Sequence, residues 1–337
     1  MLKRLLPALA VVALLASSPA QAGPYSSLFI FGDSLSDSGN NTLVIGTDPL
    51  QAITGNTYIP TLTYASGQYT NGDVWAKTFA SSLGLGAFGG PALAGGGNLA
   101  FGGARTSQEG ALFGFPPSLK TQAGIFLGAL PGGVAPSSAL YVVAGGGNDA
   151  RDTLTAAASD LPNAISIIGA AALQYATDTE LIVHSLRNAG ARSIVVWNTP
   201  NLGLVPAVRA SGPGAPELGT LVAYSMNQAL GAVMADETGV TIFDSFGLLT
   251  LAAANPVPFG LTNVTDACGN AGAGCDPLTS LFWDGIHPTS AGHALLAHMM
   301  LYSAAVVAVP EPETYAMMLL GLGLLGIVAR RRRKQTS

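Results

Sequence analysis

Short apolar runs alternate with longer helix-like segments along most of this 337-residue chain. Alternation of strand, helix and strand is typical of a parallel sheet with helices on both faces. We therefore expect an α/β fold in three layers, helix, sheet and helix. The strand-like runs are 28–31, 139–144, 193–198 and 240–244, and the main helix-like segments are 163–188, 216–237 and 290–305.

The N-terminal 22 residues differ from the rest of the chain. They combine Lys3 and Arg4, an apolar run over 5–15, and the small residues Ala20 and Ala22. This is the pattern of a secretory signal peptide, and we expect a signal peptidase to remove residues 1–22. The apolar run is shorter than a bilayer span, which disfavours the alternative of a permanent anchor.

The C-terminal residues 309–337 also form a separate segment. Pro310-Glu311-Pro312 is followed by an apolar stretch over 315–329 and by a basic cluster over 330–334. The stretch of about 15 residues is shorter than the roughly 20 of a usual spanning helix, and the basic cluster favours the cytoplasmic side. The segment resembles the PEP-CTERM sorting signal of Gram-negative bacteria. The alternative is a plain C-terminal membrane anchor.

The resemblance to PEP-CTERM implies how the protein is processed and where it is located. An exosortase-type membrane protease would recognise the tail and cut near its motif. The protein would be anchored in the membrane only transiently. We expect a final location in the periplasm, on the outer envelope or outside the cell.

The body of the chain, residues 23–308, is acidic. It keeps 7 Lys and Arg against 17 Asp and Glu, a net charge of about −10. No basic patch remains that would favour nucleic acid. Cys268 and Cys275 are the chain's two cysteines, and in an exported protein we expect them to form a local disulfide. The chain has neither an HExxH motif nor paired CxxC motifs, which disfavours a metal site.

Three residues indicate nucleophilic catalysis. Ser34 follows the first strand-like run, at the strand end where open α/β sheets bind ligands. A serine hydroxyl needs a base to take its proton, and the base needs an acid group to orient it. Asp284 and His287 are three residues apart, which places them on one face of a helical turn. We expect Ser34 to be the nucleophile, His287 the base and Asp284 its partner.

Two glycine-rich segments contain candidate donors for an oxyanion. Gly102 and Gly103 offer backbone N–H groups, and Asn148 offers a side-chain amide just beyond the second strand-like run. Either segment by itself is equally compatible with an ordinary turn. Asp33 and Asp37 flank the serine, and we expect them to fix its turn through hydrogen bonds.

Taken together, four blocks in order resemble the GDSL, or SGNH, family of hydrolases. The resemblance implies a flavodoxin-like three-layer sandwich and hydrolysis of carboxylic esters without a cofactor, through an acyl-enzyme on Ser34. It implies an oxyanion hole made by the Ser34 N–H, Asn148 and Gly103, with Gly102 as the alternative to Gly103. The matching blocks are 32–37, 98–104, 146–149 and 284–289.

These patterns predict an exported esterase or lipase acting on lipid or short-chain esters. The domain prediction is a signal peptide at 1–22, a hydrolase domain at 23–308 and a sorting segment at 309–337. Removal of acetyl groups from an extracellular polysaccharide is the first alternative, and transfer of the acyl group to another alcohol is chemically close. A catalytically silent surface or adhesion protein is a further alternative, disfavoured because a binding module has no need of a complete catalytic set. The loops 48–66 and 84–97 are expected to shape the pocket.

Overall fold

The computed structural model describes residues 25–57 and 62–307. The predicted signal peptide at 1–22 and the predicted sorting segment at 309–337 lie outside the described residues. The domain boundaries therefore stay predictions.

A four-stranded parallel sheet forms the centre of the described chain. Its strands are hydrogen-bonded in sequence order. The second and third are buried along their whole length, which explains why they are uninterrupted apolar runs rather than alternating ones. The strands are β1 (Leu28–Gly32), β2 (Leu140–Ala144), β3 (Ser193–Trp197) and β4 (Val240–Phe243).

An extended segment lies along the free edge of β1. Asn98 forms a parallel bridge with Ile30. The Ile30 N–H donates to the Gly97 carbonyl, and the Leu99 N–H donates to the Ile30 carbonyl. With this segment counted, the order is that of a flavodoxin-like sheet, in which the second extended element lies outside the first strand. It brings the glycines after Asn98 to the same edge as the end of β1.

The described residues also form nine α-helices, several short 3₁₀ helices and a second small sheet. The helices are α1 (Asn40–Ile45), α2 (Trp75–Ser82), α3 (Leu119–Ala129), α4 (Gly147–Ser159), α5 (Ala164–Asn188), α6 (Pro206–Ala210), α7 (Ala215–Met234), α8 (Ser245–Ala254) and α9 (Ser290–Val307). The small sheet pairs β5 (Asn263–Ala267) with β6 (Ser280–Phe282).

Two apolar clusters cover the two faces of the main sheet. Because successive side chains of a strand point to opposite faces, Tyr141 and Val143 of β2 pack with α3, α4, α5 and α7. Leu140 and Val142 of the same strand pack on the other face, with α2 and α9. Each large side chain buried in this way stabilises the fold by about 1.5–3 kcal/mol. The expected three-layer α/β fold is confirmed.

The turn between β2 and α4 requires glycine. Gly146 has a φ of 100°, in the left-handed region. A Cβ at this position would lie 2.6 Å from Tyr175 Cε2 and 2.7 Å from Thr199 Oγ1. This close packing sets the start of α4, and with it the position of Asn148, at the carboxyl edge of the sheet.

Cys268 and Cys275 are joined as a disulfide, with their Cα atoms 5.6 Å apart. Within the described ranges, no single helix has the length and hydropathy to cross a membrane; α4 and the segment Leu161–Asn188 meet that test only as a pair, bent by 119°. The apolar stretch 315–329 lies outside these ranges.

Candidate active site

A chain of hydrogen bonds links the three predicted catalytic residues. His287 Nε2 lies 2.7 Å from Ser34 Oγ, and His287 Nδ1 lies 2.8 Å from Asp284 Oδ2. All three side chains are buried. With a proton on Nδ1 donated to the carboxylate, Nε2 is free to accept the hydroxyl proton of Ser34. The fold thus brings the serine into contact with a histidine that lies 253 positions further along the chain.

The Asp284 carboxylate is held from both sides. Its Oδ1 accepts hydrogen bonds from the Ile286 and His287 N–H groups, at 2.8 and 2.7 Å. Its Oδ2 accepts a further bond from the Tyr64 hydroxyl at 3.0 Å, besides that from the imidazole. Burial, and then the charge of Asp284, raise the pKa of Tyr64 well above its usual value, so the phenol remains a donor. Sequence reasoning missed Tyr64.

Two buried aspartates fix the turn that carries Ser34. Asp33 Oδ1 accepts from the Leu35 N–H at 3.0 Å, and Asp37 Oδ1 accepts from the Gly39 N–H at 2.9 Å. These bonds match the expected turn-fixing role of both residues. Burial raises the pKa of Asp33 to about 6, although the Leu35 N–H and the nearby His287 partly oppose the rise.

Gln122 clamps the end of β1. Its Oε1 accepts from the Gly32 N–H at 2.8 Å, and its Nε2 donates to the Gly32 carbonyl at 2.9 Å. The same glycine approaches β2 so closely that a Cβ would lie 2.6 Å from the Ala144 carbonyl oxygen. This pair of bonds from α3 was not foreseen, since nothing in the local sequence connects positions 32 and 122.

The two glycines proposed for the oxyanion hole differ in their hydrogen bonding. The Gly102 N–H is already donated to Asp37 Oδ2 at 2.9 Å. By contrast, the N–H groups of Gly103 and Ser34 have no acceptor among the described residues. Gly103 has a φ of 84° and lines the groove beside Ser34 and Asn148. The geometry favours Gly103 over Gly102 as an oxyanion donor.

Hydrogen bonds on both sides orient the Asn148 amide. Its Nδ2 donates to the Ala104 carbonyl at 2.9 Å, and its Oδ1 accepts from Arg151 Nη1 at 3.3 Å. Because an amide nitrogen carries two protons, one N–H is left for a further acceptor. Arg151 is a second residue that sequence reasoning did not identify.

A groove of about 440 Å³ opens beside Ser34. Its polar end holds the serine, Gly103 and Asn148, and its walls are largely apolar. A smaller cavity, of about 40 Å³, is lined by Ser34 and His287 and shares Asn148 with the groove. The apolar wall residues of the groove are Ile45, Leu62, Leu112, Phe115 and Pro116.

Only one of the two loops expected to shape the pocket does so. Leu62, from the loop 48–66, lines the groove. The loop 84–97 packs elsewhere: Phe88 makes an edge contact with Phe29 of β1, with ring centroids 6.0 Å apart. Its glycines permit this packing, because a Cβ on Gly97 would lie 2.1 Å from the Leu28 carbonyl oxygen. The expectation for this loop was wrong.

The other histidines lie outside this chain of hydrogen bonds. His184 and Glu180 lie with Glu237 in the one group of potential metal ligands within the described residues, their ligand atoms within 4.8 Å of one another. Glu237 there already pairs with His184 and Arg187. The two ring nitrogens of His293 are buried without a hydrogen-bond partner among the described residues. Burial, and then the nearby charge of His287, lower its pKa to about 3.

A flavodoxin-like sheet with a serine, a histidine and an aspartate at its carboxyl edge defines a class of serine hydrolase-like proteins. A family model described as GDSL-like lipase/acylhydrolase matches residues 28–300, and the chain belongs to that family. A second model, the PEP-CTERM protein-sorting motif, matches residues 308–334. This motif indicates export and membrane-associated sorting in a Gram-negative bacterium.

Named relatives are found in bacteria and plants. The chain is 31% identical to esterase EstA of Pseudomonas aeruginosa, over 88% of this chain and 49% of the relative. It is 26% identical to a GDSL esterase/lipase of Arabidopsis thaliana, over 82% and 88% of the two chains. The chain thus spans about half the length of its Pseudomonas relatives. Among solved structures, phospholipase A1 from Streptomyces albidoflavus aligns with a TM-score of 0.40 and 20% identity, covering 84% of this chain and 100% of that one.

Proposed function

We propose that this protein hydrolyses carboxylic esters through an acyl-enzyme on Ser34. The observation that carries the proposal is the continuous hydrogen-bonded chain from Asp284 through His287 to Ser34. Membership of the GDSL family, and relatives named as esterases, support the same reaction.

The reaction begins with attack of Ser34 Oγ on the ester carbonyl carbon. His287 Nε2 takes the hydroxyl proton, and Asp284 stabilises the imidazolium that forms. The N–H groups of Ser34 and Gly103 and the Asn148 amide donate hydrogen bonds to the carbonyl oxygen and stabilise the negative charge that develops on it. His287 then returns its proton to the leaving alcohol. Water, deprotonated by the same imidazole, releases the acid and restores Ser34.

Lipid or short-chain esters are the proposed substrates. The apolar walls of the 440 Å³ groove suit an acyl chain better than a hydrated sugar. An O-acetyl esterase acting on an exopolysaccharide is the alternative, and the 40 Å³ cavity beside Ser34 is of a size that suits an acetyl group. A signal peptidase and an exosortase-type protease are the proposed processing partners, with the periplasm, outer envelope or exterior as the destination.

The direct test is hydrolysis of p-nitrophenyl esters of increasing acyl length. Ser34→Ala is expected to lower the turnover number by several orders of magnitude, as loss of a catalytic serine does elsewhere. Ser185→Ala is the matched control, because Ser185 is exposed on α5 and its hydroxyl bonds only to the Leu181 carbonyl. A preference for acetyl esters would favour the polysaccharide alternative. Wild-type turnover in Ser34→Ala would refute the proposal, and a folded protein inactive on every ester would favour a non-enzymatic surface role.

A further inference from the structure

A short loop at the mouth of the groove presents its apolar side chains to solvent. This rim loop, residues 110–115, is closed on itself by the Phe115 N–H, which donates to the Leu112 carbonyl at 2.9 Å. Leu112 is 66% exposed and Phe113, at the tip, is 102% exposed. A large aromatic ring held fully in water gains none of the stabilisation that burial provides. The ring of Phe113 therefore contributes nothing by burial to the stability of the folded chain.

The backbone at the tip is strained. Phe113 has a φ of 53°, and it is the one residue other than glycine with a positive φ in the described part of the chain. A bulky side chain in the left-handed region is unusual, and such strain concentrates at sites of function. Gly114 follows with a φ of 81°, so two successive left-handed residues turn the ring outward.

The exposed apolar surface is continuous with the groove. Leu112 is partly exposed and also lines the groove wall, where Phe115 lies beside it. Ile45 lines the same groove, and it ends α1, whose Leu43 and Val44 are about half exposed. Apolar side chains thus border the mouth on both the rim loop and α1. A protein partner covering this border would close the groove to substrate, whereas a lipid surface would deliver substrate into it.

Charge points to the kind of lipid surface. The rim loop has no charged residue. The neighbouring Glu109 is held by the Ser118 and Thr121 hydroxyls on the side of α3. Because the body of the protein is acidic, an anionic bilayer would repel it, and a zwitterionic one would not.

We propose that the rim loop docks the protein on zwitterionic lipid, with Phe113 and Leu112 inserted among the acyl chains and the groove mouth facing the surface. This inference deepens the proposed function and rests on it, because lipid is preferred to a protein partner only if the groove has to receive a substrate. The docking itself needs no catalysis by Ser34.

A fluorophore at position 113 tests the docking site directly. The full chain is used with Ser34→Ala, which keeps the lipid intact. In phosphatidylcholine vesicles, Phe113→Trp is expected to shift its emission to shorter wavelength and to be quenched by lipid brominated on the acyl chains. Val134→Trp is the matched control, since Val134 is 65% exposed and lies shortly before β2 begins. It is therefore near the amino ends of the strands, whereas the groove is at their carboxyl ends.

This local readout separates the rim loop from other parts of the chain that bind lipid. If vesicles sediment the protein but leave the emission of Phe113→Trp unchanged, attachment is through another segment and the proposal is overturned. A shift that depends on protein concentration without vesicles would assign the surface to a second copy of the chain, which also overturns it.

Ester hydrolysis by a second variant gives an independent test of the docking. Phe113→Asn removes the ring but keeps a residue that tolerates the left-handed backbone. It is expected to lower hydrolysis of esters in vesicles by about 10-fold, roughly the cost of leaving one large side chain unburied, and to leave soluble p-nitrophenyl acetate hydrolysis within about 2-fold. An equal loss on both substrates would mean that the loop only shapes the groove, and would overturn docking. If the wild type hydrolysed neither the vesicle esters nor p-nitrophenyl acetate, the proposed function would be refuted. The fluorescence of Phe113→Trp would still show whether the rim loop docks on lipid.

Discussion

Tyr64→Phe tests whether the Asp284 carboxylate depends on a donor that lies 220 residues away in sequence. Both side chains are buried, and the hydroxyl donates to Oδ2 at 3.0 Å. Phenylalanine fills the same volume, so the substitution removes one hydrogen bond and leaves no cavity. The effect measured is therefore that of the bond to the carboxylate.

The size of the effect follows from the partners that remain. A hydrogen bond to a charged group contributes about 1.5–3 kcal/mol, and its loss in a buried site leaves the acceptor partly unsatisfied. Asp284 keeps three donors, from His287 Nδ1 and two backbone N–H groups, so we expect the lower end, about 1.5 kcal/mol. For a domain of about 280 residues, with an unfolding entropy of about 2.1 cal/mol/K per residue, that corresponds to a fall in Tm of about 2.5 °C. A loss of this size in the transition state would lower kcat about 10-fold.

Urea unfolding and ester hydrolysis measure the two effects. Tyr224→Phe is the control, because Tyr224 is about half exposed on α7 and should change neither quantity. A decrease in kcat with KM unchanged would identify Tyr64 as a positioning residue for Asp284. Wild-type stability together with wild-type kcat in Tyr64→Phe would refute the reasoning.

Three further perturbations test other parts of the structure. Burial raises the pKa of Asp33 from 3.8 to about 6. The folded state then holds this proton more tightly than the unfolded chain, so the free energy of unfolding should fall between about pH 4 and pH 6 in urea titrations, and the fall should be smaller by about 3 kcal/mol in Asp33→Asn. Burial raises the pKa of Asp37 and Asp149 as well, so part of the fall should remain in the variant. Gly102→Ala would place a Cβ 2.1 Å from Tyr69 Cε2 and should disrupt near-UV circular dichroism. Gly103→Ala, with 3.5 Å to its nearest neighbour, avoids such a clash, but its φ of 84° strains an alanine by about 1–2 kcal/mol; it should be less stable, still fold, and lose mainly kcat. Cys268→Ser opens a loop with a sequence separation of 7 and should lower the free energy of unfolding, measured in urea, by about 2–3 kcal/mol.

The sheet could be predicted because β2 and β3 are buried along their whole length and β1 nearly so. Such strands are short apolar runs ended by small residues, and all four predicted runs correspond to β1–β4. The long helix α5 agreed with its predicted span to within one residue, and α7 ended three residues early, at Met234. The edge segment beside β1 was missed, since Gly97 and its glycine neighbours carry no side chains to produce a strand pattern. The β5–β6 pair and the helices α1–α4, α6 and α8 were also not predicted.

The residues of the candidate site could likewise be predicted only in part. Ser34, Asp284 and His287 stand in local motifs, and so they could be named before any geometry was known. Tyr64 and Gln122 act on those motifs across long stretches of sequence, and only the packing of the chain brings them there. The choice between Gly103 and Gly102 likewise depended on which N–H group Asp37 already occupies.

Covalent labelling with a fluorophosphonate tests the central claim most directly, because it reports the nucleophile without reference to any substrate. Intact mass and peptide mapping of the wild type should show one adduct, on the peptide that contains Ser34. Ser34→Ala should show none, and His287→Ala should react roughly 10³-fold more slowly, since the serine loses its base. An adduct on another residue, or an unchanged labelling rate in His287→Ala, would contradict the account.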